Sequence, residues 1–524
     1  MDHEKIVPDI AHLGLGFEVL SVKQAYPDET RLEVPVAAFR ESCLTLHRLF
    51  SSPVMMLFAS DEIRTKGSFT LRAVFMDKGR GQWMVVSADV PQGEPCFDSL
   101  AKDMHSAILF EREIREMFGI EPKGHPDPRR LHLHNEVWPA GQFPLRKDFK
   151  PSPPANFGAY KFSRVEGEGI FEVPVGPVHA GIIGPGHFRF SVAGEPIVQL
   201  ETRLGFTHRG VEKLFEGRDP AAGLALSERV CGDAAFGHSL AFASACEKIL
   251  GARAPLQAAY VRGIYLELER LYNHVNDIGG MATDVSFSFP AALASVIKES
   301  IHVLNEKLTG SRYLKNANRI AGVASGISGP LKKELLRSLK ILRRDFQELV
   351  TILNRSVSFM DRVDSTGTLK KKTAEDLGVV GLAGRASGVA LDLRKFFPGA
   401  YQDVSFKMAM QASGDVLARF RVRVQEWECS CRMIEEFAEK LDGGPIGAAA
   451  PLKPGEGLGY AEAWRGPVLY WVQLSESGVI ERCKIVDASF HNWPALTYAV
   501  LGNIIPDFPL CNKSFDLSYS GNDL

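Results

Sequence analysis

At 524 residues, with 45% hydrophobic and 24% charged side chains, the chain has apolar surface for roughly three average domain cores and cannot be mainly disordered. Lys and Arg total 61 against 63 Asp and Glu, a net charge of −2, so no cationic excess exists to neutralise a phosphate backbone and nucleic acid is not expected as a partner. The eight cysteines form no C-x-x-C pair, which argues against a disulfide framework, a zinc ribbon or a redox dithiol and fits a reducing compartment.

The opening MDHEKIVPDIAHLGLGFEVL carries acids and a proline where a signal peptide needs a basic end and an unbroken apolar run, so export by that route is not expected. RLEVPVA, FTLRAVFM and GQWMVVSADV are rich in Val, Phe and Met beside turn residues and predict strands. SCLTLHRLF and LAKDMHSAILFEREIREMFG repeat their apolar positions at helical spacing. These elements predict an α+β domain over residues 1–150. The segment 151–165 reads as a linker, because Pro151, Pro153 and Pro154 cannot continue a regular element, and few contacts are expected across it.

From residue 166 to 524 the texture changes to Gly-rich turns and long amphipathic helices. Leu335, Leu339, Leu342, Phe346, Leu349 and Leu353 fall on one helical stripe, and Leu417, Phe420, Val424 and Trp427 on another. VLYWVQLSESGVIERCKIVDASF predicts strands around the turn SESG, and Phe515, Leu517 and Tyr519 alternate in a tail that calls for burial. The fold class is therefore α+β, an N-terminal α+β domain joined to a mainly helical one with small strand elements. No window reaches the roughly 18 uninterrupted apolar residues that span a bilayer, so membrane contact would come through partner subunits.

Cys231 stands just before a predicted helix, with His238 seven residues on. A helix N-terminus lowers the pKa of a thiol, which suits a metal ligand or nucleophile; the same residue can equally be a small packing group at a helix start. Asp507, Cys511 and Ser514 offer a second lone thiol with the same two readings. His208, Arg209, Glu212 and Lys213 have helical spacing, and Glu267, Arg270 and His274 share one helical face. They are solvated ion pairs if that helix is exposed and a proton or hydrogen-bond relay if it is buried.

Together these segments form one arrangement. EREIREMFGIEPKGHPDPRRL followed by FPLRKDF resembles the 30 kDa subunit of respiratory complex I, through Glu113, Glu116, Phe118, Gly119, His125, Pro126, Asp127, Arg129, Arg130, Arg146, Lys147, Asp148 and Phe149. From Pro174 onward the segments VGPVHAGIIGPGHFRFSVAGE, GFTHRGVEKLFEG, ERVCGDAAFGHSLAFASACEKILG, VRGIYLELERLYNH, GRASGVALDLRKFFP and YAEAWRGPVLYWV resemble the 49 kDa subunit of complex I. They are more closely similar to the large subunit of energy-converting, formate hydrogenlyase-type nickel–iron hydrogenases, in which the two modules are fused. The resemblance implies NAD- and quinone-linked electron transport. It also implies an iron–sulfur small subunit and ion-translocating membrane subunits as partners, and a peripheral place on the cytoplasmic side of the cell membrane.

By the same resemblance, His179, His187, Arg229, Asp233, His238, Glu267, Arg270, His274 and Asp507 would handle protons at the active site. His208, Arg209 and Arg229 would face a cofactor, and the returning tail would bring Cys511 close to Cys231 as the remaining metal ligands. The departures from the family are as informative. Its nickel and iron are held by two C-x-x-C pairs, since low oxidation states need soft sulfur donors. Here Cys231, Gly232, Asp233 and Ala234 supply one thiol, and neither Asp507 nor Cys511 opens a pair. The family's G-I-I-E-P-G-H-F segment has Gly184 in place of its glutamate. The quinone-binding tyrosine and second histidine of complex I fall on Gly232 and Ile183, and its histidines near the terminal cluster on Leu314 and Lys315.

An intact nickel–iron centre is therefore not expected and no cofactor is assigned to this chain itself. An iron–sulfur cluster is expected in a partner subunit, and a quinone is an acceptor the resemblance allows. Three readings follow: electron transfer to a quinone-like or other small acceptor coupled to ion translocation, a non-catalytic coupling or scaffold subunit, or a hydrogenase with an atypical metal site.

Overall fold

The computed structural model describes residues 17–151, 153, 158–180 and 183–524. In the N-terminal unit β1 (Ser21–Tyr26), β2 (Glu29–Glu33), β3 (Met56–Glu62), β4 (Ser68–Asp77) and β5 (Gln82–Pro91) form one sheet in the order β1-β2-β5-β4-β3. Its pairs are antiparallel except for β2 beside β5. The helices α1 (Val36–Phe50) and α2 (Ile108–Phe118) pack on β3, β4 and β5, and the short strands β6 (Cys96–Asp98) and β7 (Glu121–Lys123) pair in parallel beside them.

All ten residues of β4 are buried. A sheet with one face in water would show alternate exposure, so something covers both faces. The second cover is the rest of the chain: Leu71, Phe75 and Val85 share one core with Leu458, Leu469, Trp471 and Val486, and the rings of Phe58 and Trp471 lie 5.7 Å apart. Charges cross the same boundary. Arg72 is held 2.8 Å from Glu62 and 2.9 Å from Glu456, and Lys484 lies 2.6 Å from Glu113 and 3.0 Å from Glu212. The expectation of few contacts across the linker is thus overturned. Prolines stop regular structure locally but say nothing about the surfaces on either side of them. Ser152 and residues 154–157 lie outside the described residues, and beyond them the Tyr160 hydroxyl and the Ser163 amide donate to Glu201 at 2.9 and 2.7 Å.

In the second unit β8 (Ile170–Val175), β9 (His187–Ala193) and β10 (Ile197–Arg203) make an antiparallel sheet with β9 in the middle. The helical layer contains α3 (Ala235–Leu250), α4 (Leu256–Asp284), α5 (Ser288–Thr309), α6 (Gly329–Arg355) and α7 (Val416–Glu439). The stripe read from the sequence of α6 is its buried face, from Leu335 to Leu353, and it meets α7 where Phe346 stacks on Trp427 at 3.9 Å. The 29-residue α4 is different, for it is buried on nearly every side and carries Glu267, Glu269, Arg270, His274 and Asp277 inside the molecule.

A second antiparallel sheet, β11 (Gly455–Glu462), β12 (Pro467–Leu474) and β13 (Ile480–Val486), packs on α3. The chain then runs through α8 (Ala488–Ala499), α9 (Phe508–Phe515) and α10 (Tyr519–Asp523). Phe515 and Leu517 are buried, yet the tail is helical. Asp516 adopts left-handed φ of 49° at the end of α9, the chain reverses, and Ser518 caps α10 by accepting the Gly521 amide at 2.9 Å. This reversal carries residues 518–521 to the start of α3.

Candidate active site and buried charge network

Helix α3 begins with no side-chain cap of its own. The carboxylate of Glu269, from α4, accepts the amides of Phe236 and Gly237 at 2.7 and 3.0 Å, satisfying donors that a helix start leaves free. Burial pushes Glu269 up to about 8 against those two bonds. The Asn273 amide and Tyr272 hydroxyl donate to the Asp233 carbonyl at 2.7 and 3.1 Å, so α4 fixes the loop that holds Cys231.

The Cys231 sulfur lies 2.9 Å from Asp233 Oδ1 and 3.1 Å from Ser518 Oγ. Arg465 grips Asp233 through two bonds of 2.7 Å, stands 3.5 Å from the same sulfur and reaches on to Asp516. Burial and the Asp233 carboxylate push the thiol well above its usual range, with Arg465 opposing. This corrects the expectation of an acidic thiol. The free amides of α3 are spent on Glu269, and the buried sulfur faces the Asp233 carboxylate. Behind it, His238 sets Nδ1 at 2.9 Å from the Tyr470 hydroxyl and Nε2 at 3.1 Å from Asp487 Oδ2, while Asp487 Oδ1 caps α8 by accepting the Ser489 amide at 2.7 Å.

The tail residue at the Cys231 sulfur is therefore Ser518, where Cys511 was expected, and Cys511 has other neighbours. Cys511 packs on Gly367 and the Arg419 guanidinium, and Asp507 pairs with Arg362 at 2.9 Å. Both precede the reversal at Asp516 and are left on its far side. Ser518 and Gly521 repeat the three-residue spacing of Cys231 and Ala234. A Cβ at Gly521 would sit 2.8 Å from the Asp487 carboxyl carbon and 3.1 Å from Ser518 Oγ. Ser518 and Gly521 thus stand beside Cys231 and Ala234 with the spacing that a second C-x-x-C pair would have. The repeated spacing near the chain end was the signal available in the sequence. Arg465 and Asp487, distant in sequence from both pairs, had none.

The remaining candidates hold the frame. His179 Nε2 lies 2.8 Å from the Gly186 carbonyl and His187 Nδ1 lies 3.3 Å from that of Gly176, so both brace the turn before β9. Gly181 and Ile182 lie outside the described residues, but a Cβ at Gly184 or Gly186 would come within 2.6 or 2.7 Å of the Tyr519 ring. Tyr519 fills the space beside the family's glutamate position. His208 Nδ1 lies 2.7 Å from the Asp523 carbonyl, and the Arg209 guanidinium donates to the carbonyls of Arg229 and Val230, both at 3.0 Å. These two residues tie the tail to the Cys231 loop. The Arg229 side chain is 54% exposed beside Glu228 and turns away from the pocket.

Glu267, Arg270 and His274 are completely buried, which decides between the two readings of their spacing. Tyr401 donates to Glu267 at 2.6 Å, Arg270 Nε to Glu267 at 3.0 Å, and His274 Nε2 lies 2.8 Å from Glu426, which also takes Arg385 at 2.7 Å. Burial works to raise Glu267, yet Arg270 and Arg394 hold it at about 2. Burial brings His274 down to about 4 although Glu426 opposes it. Its Nδ1 has no hydrogen-bond partner among the described residues. The imidazole lies edge-on to Trp464, 6.2 Å between rings, and Trp464 packs with Cys231 and Ala234. At the other end Tyr401, Arg394 and Glu462 line a cavity of about 220 Å³.

Three family models match. The 49 kDa subunit of the respiratory-chain NADH dehydrogenase covers residues 284–454, its 30 kDa subunit residues 32–155, and nickel-dependent hydrogenase residues 209–277. Formate hydrogenlyase subunit 5 of Escherichia coli is 33% identical over 89% of this chain and 84% of its own. Hydrogenase-4 component G of the same organism is 32% identical over 96% and 90%. Among solved structures, the membrane-bound sulfane sulfur reductase, an archaeal respiratory membrane complex, contains a chain with a TM-score of 0.64 and 26% identity, covering 68% of this protein and 99% of that chain. No helix among the described residues is long and apolar enough to cross a membrane. With these matches along its length, the chain belongs to the family of fused large subunits that includes formate hydrogenlyase subunit 5 and hydrogenase-4 component G, and is a subunit of an oxidoreductase complex.

Proposed function

We propose that this subunit works in a membrane-associated complex without a nickel–iron centre, passing electrons from an iron–sulfur partner subunit to a small acceptor while membrane subunits move ions. The observation that carries the reading is the donor set at the four C-x-x-C positions: one thiol, one methyl, one hydroxyl and one glycine. That set does not fit a centre needing four thiolates. Arg465, Asp233 and Tyr519 occupy the surroundings with an ion pair and a ring. The acceptor class is a quinone-like molecule or, following the structurally similar sulfane sulfur reductase, a sulfur compound.

In this reading the buried network supplies the proton that accompanies charge. Arg270 and Arg385 stay protonated and only fix the carboxylates; Tyr401, Glu267, Glu426 and His274 are the groups able to exchange a proton. Burial brings His274 down to about 4, and its Nδ1 has no partner among the described residues. Negative charge arriving at the neighbouring Cys231 pocket favours its cationic form. The test is metal analysis of the purified complex together with assays using reduced viologen. The expected result is no stoichiometric nickel, no hydrogen, and viologen oxidation on adding a quinone analogue or polysulfide. Nickel near one equivalent or hydrogen evolution overturns the reading, and a nickel-free complex that reduces neither acceptor supports a coupling subunit instead.

A further inference from the structure

We propose that Cys231, His238 and Asp487, with Ser518 Oγ as fourth donor, form a mononuclear site for a borderline divalent ion such as Zn²⁺ or Fe²⁺. The sulfur, an imidazole nitrogen and a carboxylate oxygen of the first three residues lie within 4.8 Å of one another, and all three residues are buried. They come from the loop before α3, from α3 itself and from the cap of α8, so the fold and not local sequence assembles them. Bond lengths of about 2.0–2.3 Å around a tetrahedral ion place donors roughly 3.3–3.8 Å apart. His238 Nε2 and Asp487 Oδ2 stand at 3.1 Å, and the Cys231 sulfur and Ser518 Oγ also at 3.1 Å. For Cys231, His238 and Asp487, whose donor atoms lie within 4.8 Å of one another, closing on an ion takes shifts of no more than about 1 Å.

The supporting groups are those a metal site requires. Tyr470 engages His238 Nδ1 and leaves Nε2 for the ion. The Ser489 amide takes Asp487 Oδ1 and leaves Oδ2 facing inward. Gly521 keeps any side chain off the same carboxylate. One sulfur, one nitrogen and two oxygens suit a borderline ion, being too soft for Mg²⁺ or Ca²⁺ and too poor in sulfur for a nickel–iron pair.

Charge points the same way. Once the thiol is ionised, Cys231, Asp233 and Asp487 carry three negative charges against the single positive charge of Arg465, and a divalent ion brings the cluster to zero. The adjoining pairs, Lys513 with Asp516 and Arg423 with Asp277, are already balanced. Binding replaces the S–H bond by a sulfur–metal bond and releases one proton to solvent, with no change of oxidation state. The proposal is independent of the acceptor reading above.

The test uses the full-length chain, stripped with chelator and titrated with Co²⁺ and then Zn²⁺. The expected result is one Co²⁺ per chain, a sulfur-to-cobalt charge-transfer band in the near ultraviolet, strong visible bands of a four-coordinate ion, about one proton released per ion, and displacement by Zn²⁺. C231S should lose the charge-transfer band, and D487N and H238Q should weaken binding by at least about 100-fold, the upper end of what losing a mere supporting residue costs. C511A should bind as wild type does. Absence of the charge-transfer band in the wild-type chain, or its persistence in C231S, overturns the proposal; the wild-type spectrum decides even if a variant fails to fold.

Discussion

Glu269 shows how far a single residue's role is set by what lies behind it. In sequence it is one more acid on a charged helix. In the structure it is fully buried, caps α3 and thereby fixes the loop of Cys231. Its carboxyl rises from the usual range to about 8, with burial the largest cause. At neutral pH and below, the folded protein holds this proton more tightly than the unfolded chain does. The associated stability is fully present below the unfolded pKa and is lost as pH rises through the folded one. We expect wild-type stability relative to E269Q to fall between about pH 5 and 8, with a slope approaching 1.4 kcal/mol per pH unit, measured by urea unfolding at several pH values. A flat difference would mean that Glu269 is ionised throughout. Cys231, Asp233 and His238 were legible as a group from one short motif. Ser518 was carried only by the repeated three-residue spacing, and Arg465 and Asp487 by nothing, because a β-hairpin turn and a strand-to-helix turn, invisible as local pattern, bring them in.

At the scale of elements, legibility followed amphipathicity. Helix α6 has one solvated face, so its leucine stripe names its buried side, and the partner stripe on α7 meets it where Phe346 stacks on Trp427. W427A should remove that ring and leave a void between two helices, costing about 3–5 kcal/mol, read as a shift of the urea midpoint at unchanged slope. A cost below 1 kcal/mol would show that α6 and α7 are held elsewhere. Helix α4 defeats the same logic, since with no solvated face its charged residues find partners inside the core, Glu267 with Arg270 and the others on neighbouring elements, His274 with Glu426 and Asp277 with Arg423. Spacing alone left exposed pairs and a buried relay equally open there. The tail failed differently. Alternation correctly demanded burial of Phe515 and Leu517, but two short helices separated by a left-handed residue bury alternate positions as well as a strand does.

For the whole molecule, the proline-rich segment marks a change of texture but not a seam between independent bodies. The N-terminal unit is covered by β11–β13 and the start of α8, its sheet through Phe58 on Trp471 and its helix α2 through Phe110 on Phe490 and the buried chain of Glu113, Lys484, Glu212 and Arg482. A separated N-terminal unit would expose that apolar face, leaving Arg72 with Glu62 but without Glu456 and taking Lys484 from Glu113. Cutting the chain near residues 151–160 removes one covalent connection and none of those contacts. We therefore expect protein nicked there to elute as a single species in native size-exclusion chromatography and to separate into two fragments only in denaturant. The isolated fragment 17–150 should bind a hydrophobic dye that the intact chain does not. Separation in native buffer would show that the shared core contributes less than its burial implies. Co-elution is what a subunit needs if proton and electron movements in the helical unit are to be felt in the N-terminal one, because only a common core makes a displacement in one a displacement of the other.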